Sequence, residues 1–134
     1  ILPAVQGEQF PAFVSRLNED LNETAGIRLP ELAVPLATYT GWNLRHPERG
    51  NPNLFHGISG GLAGSTIPFP ATRKQRESSS DPRLSIEERY PSREDYLQRL
   101  RESGKALVAE GYLLEEDIER IVQRTAKIWE PFTS

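Results

Sequence analysis

The sequence has no cysteine and no methionine, only two histidines, and no apolar run that goes far without a proline or a charge. Without cysteine there can be no disulfide, no thiolate zinc site and no cysteine nucleophile, and the compartment stays open because secreted and intracellular chains can both lack it. Proline interrupts the longest apolar stretch, LPELAVPLA, far short of the length that crosses a bilayer, so no membrane span is expected. The net charge of −3 offers no general attraction to a phosphate backbone, and the basic runs TRKQR and REDYLQRLR are interleaved with polar or acidic residues, so no nucleic-acid partner is expected. A chain with no methionine and the start ILPAVQG is expected to be a fragment, with any targeting segment upstream.

What is present is proline and glycine, 11 and 10 residues in 134, beside a hydrophobic fraction of 37%. That balance allows one unit with a modest core and long irregular segments. Residues 1–56 read as extended or hairpin backbone followed by a proline-rich segment, 57–83 as a Gly/Ser/Pro loop weakly ordered around 73–82, and 84–134 as helical. Within 10–28, Phe13, Val14, Leu17 and Leu21 recur at helical spacing, yet Gly26 and the polar NEDLNET suit a small β-hairpin, and strand and turn is the reading adopted. Prolines at 30, 35, 47 and 52 exclude a long helix between 29 and 56.

The last third carries the clearest pattern. Ser85 and Glu88 have capping-box spacing, which predicts one helical turn after Ser85. Ser92 then caps a helix with Tyr96, Leu97, Leu100, Leu107 and Val108 on one face, which Gly104 shares; a glycine there suits close approach of another backbone or simple tolerance. Gly111 supplies a left-handed stop. Acidic Glu115, Glu116 and Asp117 open a second helix striped with Ile118, Ile121, Val122, Thr125 and Trp129, which Pro131 is expected to end. The result is an αα-hairpin over about 92–130. If its stripes stay open they seek contact with each other, a companion chain or a second copy in a homodimer, which gives an interaction module as an alternative function.

One short motif advertises catalysis: Gly57-Ile58-Ser59-Gly60-Gly61 fits the G-x-S-x-G pattern of serine hydrolases. That mechanism requires a strand before the serine, a helix after it, and a histidine later in the chain. The flanks RGNPNLFH and GLAGSTIPFP suit neither element, and both histidines, His46 and His56, precede Ser59. Ser59 is therefore read as a turn residue and no catalytic residue is assigned. His46, Glu48 and His56 match no metal-ligand spacing, GLAGST lacks the lysine of a phosphate loop, and no metal or cofactor is expected. Asn22-Glu23-Thr24 is a sequon that matters only in a secreted eukaryotic protein. The most unusual stretch is TYTGWNLR. Its Tyr39, Trp42, Asn43 and Arg45 either line a pocket or, with Trp42 filling a core and the polar pair tying down backbone, only pack.

Three stretches, GIRLPELAVPLATYTGWNLR (26–45), GSTIPFPATRKQR (64–76) and DPRLSIEERYPSREDYLQRLRESGKALVAEGYLLEEDI (81–118), occur in this order. Together they resemble the C-terminal region of a large family of α/β-hydrolase-domain proteins of poorly defined substrate. The resemblance implies a mainly α piece of such a domain, with a C-terminal αα-hairpin, extensive irregular loops and a small N-terminal β-hairpin. It also implies a longer parent that is a serine hydrolase of esters or amides, its nucleophile elbow upstream. On that reading the chain is catalytically silent alone and its partner is the remainder of the hydrolase or a companion chain. Tyr39, Trp42, Asn43 and Arg45, within matched sequence, would contribute to the parent's substrate cleft.

Overall fold

The computed structural model describes residues 7–8, 13, 15–41 and 64–133. In chain order the elements are α1 (Pro30–Ala33), β1 (Ala37–Thr40), β2 (Ser65–Pro68), α2 (Arg73–Ser79), α3 (Ile86–Arg89), α4 (Arg93–Ala109) and α5 (Glu115–Thr133). Helix dominates, as expected, and β1 and β2 pair antiparallel in the register Ala37 to Pro68 through Thr40 to Ser65.

The hairpin formed by α4 and α5 follows the sequence pattern closely. Ser92 caps α4 by accepting the Asp95 amide at 3.1 Å, and Gly111, at φ 82°, turns the chain into the left-handed region that its missing Cβ permits. Leu100, Ile118 and Val122 meet between the helices and join Leu36, Phe69, Ile86, Tyr90 and Tyr96 in one core. The two apolar stripes therefore cover each other within the chain. Tyr96 forms the centre of an aromatic group, with the Tyr90 ring at 4.9 Å and the Trp129 ring at 4.9 Å. Burial raises the pKa of both tyrosines, Tyr90 and Tyr96, and keeps their hydroxyls protonated.

Four details differ from the sequence expectation. Residues 73–82, expected to be a weakly ordered loop, begin with helix α2. Thr72 and Gln75 form a reciprocal capping box at its start, and Ser80 ends it at φ 54°. A polar segment holds this helix because Arg73 pairs with Glu77, and Arg76 reaches Glu88 of α3 at 2.8 Å. The second difference is at Pro131, which lies inside α5 and does not end it; the Thr133 hydroxyl donates back to the Trp129 carbonyl at 2.9 Å and completes the last turn. The third bears on one of the two readings of Gly104, close approach of a backbone: the atoms nearest a Cβ there belong to the Ile118 side chain, with Cγ1 at 3.2 Å.

The fourth is the N-terminal hairpin, of which the described residues form a turn closed by an isolated antiparallel bridge, Leu17 to Glu23. Asn18 Oδ1 organises this turn by accepting the amides of Asp20 and Asn22 at 3.0 and 2.9 Å, a side-chain substitute for strand pairing. Between 29 and 41 the expectation of no long helix holds. Pro30, at the first position of α1 where no amide partner is required, starts a single turn, and the chain then extends into β1. No helix among the described residues is long and apolar enough to cross a membrane.

Candidate functional site

The two strands form a stem from which residues 41–64 depart, and buried polar side chains hold it. Asn22 is fully buried beside β1. Its Nδ2 donates to the Ala37 carbonyl at 3.0 Å, and its Oδ1 accepts the Tyr39 amide at 2.7 Å. One amide side chain thus does the work of a third strand and closes the outer edge of β1. Both ends of that amide are engaged inside the fold, so the sequon at Asn22 offers no accessible acceptor for glycosylation.

Arg83 fastens the opposite side. Its guanidinium donates to Thr38 Oγ1 at 2.9 Å, to the carbonyls of Ile67 and Pro68 at 3.0 and 3.3 Å, and to Asp81 Oδ2 at 2.6 Å. These bonds tie both strands to the loop before α3, and they hold the Asp81 carboxyl below the usual carboxylate range. Phe69 carries two cations, Arg89 at 4.2 Å and Arg83 at 5.2 Å from its ring centre. Arg89 in turn grips Asp20 with both terminal nitrogens, which links α3 to the N-terminal turn.

At the mouth of the stem Ser65 donates its amide to Thr40 Oγ1 at 3.0 Å. Gly64 passes so close to Thr40 that a Cβ would fall 1.5 Å from its carbonyl oxygen, so only glycine fits. The entry and exit of the 41–64 segment are therefore fixed side by side. Tyr39 stands one residue below the end of β1, half-buried. Burial, opposed by a bond to the Leu36 backbone and reinforced by Glu31, raises its pKa. Its hydroxyl is thus a neutral donor and acceptor at physiological pH, unfit as a base and suited to orienting a polar group.

Of the four residues assigned to the cleft, Tyr39 is on this stem; Trp42, Asn43 and Arg45 lie outside the described residues, as do Ser59, His46 and His56. The sequence reading missed Asn22, Arg83 and the pair Asp20 and Arg89. The one local signal was the run Asp81-Pro82-Arg83, in which a turn-forming Asp precedes an Arg by two residues. Among the described residues no group of three or more His, Cys, Asp or Glu side chains is arranged to hold a metal ion.

Searches of curated proteins and of solved structures find no match to this chain. The sequence model of one family does match, over residues 4–123, and that family is described as alpha/beta hydrolase domain. The matched range takes in the strand stem, α1 to α4 and the first half of α5, and it includes the stretches whose resemblance was noted from the sequence. The chain belongs to the alpha/beta hydrolase domain family.

Proposed function

We propose that this chain completes the substrate cleft of a serine hydrolase acting on esters or amides, and that the nucleophile and its base are supplied from outside these residues. The observation that carries the reading is the family match together with a stem, pinned by Asn22, Arg83 and Gly64, that contains the start of the TYTGWN stretch. A long connection held at both ends by a rigid stem is a common way to present binding residues. Tyr39, Trp42, Asn43 and Arg45 are assigned to the wall of the cleft, where they orient the acyl or leaving group.

The reaction of the whole hydrolase would be attack of an activated serine hydroxyl on the acyl carbon. The proton passes to a histidine, donors stabilise the oxyanion, and the leaving group takes the proton; water, deprotonated by the same histidine, then attacks the acyl-serine, releasing the acid and returning the proton to the serine. Ser59 is not given the nucleophile's role, because both histidines precede it in the sequence. Treating the chain with a fluorophosphonate probe and mapping adducts by mass spectrometry is expected to leave Ser59 unlabelled, and p-nitrophenyl esters should turn over no faster than in buffer. Turnover that disappears in Ser59→Ala would overturn the assignment. In the longer hydrolase, Trp42→Ala and Arg45→Gln are expected to raise KM for esters with little change in serine labelling; unchanged KM for both would remove these residues from the cleft.

A further inference from the structure

A concavity of about 450 Å³ lies where the residues around α1 face those of α3 and α4. Three arginines line it, Arg28, Arg89 and Arg99, together with Asp20 and Glu88. Each carboxylate in the neighbourhood already has a cation. Arg89 holds Asp20, Arg76 holds Glu88 at 2.8 Å, and Arg99 lies 2.8 Å from Asp95. Among the described residues Arg28 is left with no acidic partner. Its one bond is from a terminal nitrogen to the Leu32 carbonyl at 2.8 Å, and its Nε is buried without a partner.

Arg99 adds unused donors. Its distance to Asp95 is that of an ion pair, yet Asp95 Oδ2 accepts no hydrogen bond, so the Arg99 Nε–H is not aimed at that oxygen. The Arg99 guanidinium instead lies over the Tyr90 ring, 5.6 Å from its centre. Ala33, Val34 and Pro35 supply an apolar wall beside these donors. The geometry points to a binding site for a small organic carboxylate, its apolar body against Tyr90 and the 33–35 segment and its two oxygens on Arg28 and Arg99. A single surplus positive charge suits a monoanion, and planar guanidiniums suit the two in-plane oxygens of a carboxylate.

The test is a titration of nitrogen-15-labelled protein with benzoate, benzamide and inorganic phosphate, followed through the arginine Nε–H resonances. Benzoate is expected to move the Arg28 and Arg99 signals saturably, benzamide to leave them in place, and phosphate to act more weakly than benzoate. Arg28→Lys keeps the charge and loses the fork, and should weaken benzoate about tenfold or more. Arg99→Gln removes a guanidinium that donates no hydrogen bond to the backbone among the described residues, so it tests the same site at a helix position that a glutamine also fits, and should weaken benzoate similarly. No saturable shift, equal shifts with benzamide, tighter binding of phosphate, or benzoate affinity that survives Arg99→Gln would each overturn the assignment.

Discussion

The αα-hairpin of residues 92–133 and the strand-bearing half before it are built on different principles. In α4 and α5 apolar side chains recur at helical spacing and meet each other, so many small contributions hold the pair and any one position is partly replaceable. Around the strands little is periodic. Asn22, Arg83, Asp20 with Arg89, and Ser85 with Glu88 each satisfy several backbone or charged groups at once. The hairpin depends on volume and the stem on specific polar bonds, so the two should fail in different ways.

The largest effect is expected at Arg83. Arg83→Met leaves Asp81 without its guanidinium and takes a donor from each of the Ile67 and Pro68 carbonyls, and the arginine it removes is itself buried. Removing one partner of a buried ion pair costs about 3–5 kcal/mol. Urea unfolding followed by circular dichroism should show a loss of that size. A loss below about 1 kcal/mol would mean that water replaces these bonds and that the stem is not fixed by them.

In the hairpin the corresponding test is Leu100→Ala, at a residue with no exposed surface. The expected loss is about 3 kcal/mol, from buried methyl groups and the cavity left behind. The contrast is sharpened by replacement in place of deletion. Leu100→Met, similar in volume, should cost less than about 1.5 kcal/mol. Arg83→Lys should recover much less of its loss, because an ammonium cannot reach Thr38, two carbonyls and Asp81 together. Equal recovery at the two sites would erase the distinction.

The same distinction decides what was legible in the sequence. Helices α4 and α5 could be read because their evidence is local: a cap at Ser92, a stop at Gly111, and apolar residues three and four apart. The capping box at Ser85 was legible for the same reason, and the one at Thr72 was hidden by the loop-like composition around it. The pairing of β1 with β2 joins residues separated by the whole 41–64 segment, and Arg83 finds Thr38 across 45 positions. No spacing rule carries such a contact. Of the candidate cleft, Tyr39 could be named from its unusual stretch, but its stem could not, since Asn22 was noticed only as a sequon.

A smaller effect is expected at the boundary between the two halves, where a local motif meets long-range charge. Ser85 Oγ accepts the Glu88 amide, Glu88 Oε2 accepts the Ser85 amide at 3.0 Å, and Arg76 binds the same carboxylate. Ser85→Ala should cost about 1–2 kcal/mol, toward the upper end for a cap because Ser85 is fully buried. The bonds from Ser85, then Arg76, lower the Glu88 carboxyl from 4.5 to about 2. A depressed folded pKa stabilises the fold above the ordinary value, and that contribution fades as pH falls from about 4.5 toward 2. Urea midpoints measured across this window should fall less steeply in Glu88→Gln than in the parent; parallel curves would show that the carboxylate is not held.

The smallest effect is at Gly104, where the two opposing contributions nearly cancel. Alanine in a helix is favoured over glycine by about 1 kcal/mol. Its Cβ would stand 3.2 Å from Ile118 Cγ1 and 3.4 Å from Cγ2, so α4 and α5 would have to separate by a few tenths of an ångström. Overpacking of this kind offsets the propensity gain, and Gly104→Ala alone should change stability by less than about 0.5 kcal/mol. In an Ile118→Ala background the obstruction is gone, and the same substitution should stabilise by about 1 kcal/mol. A gain of that size already present in the parent would show that the helices adjust freely at this contact, and that Gly104 is not needed for Ile118 to pack.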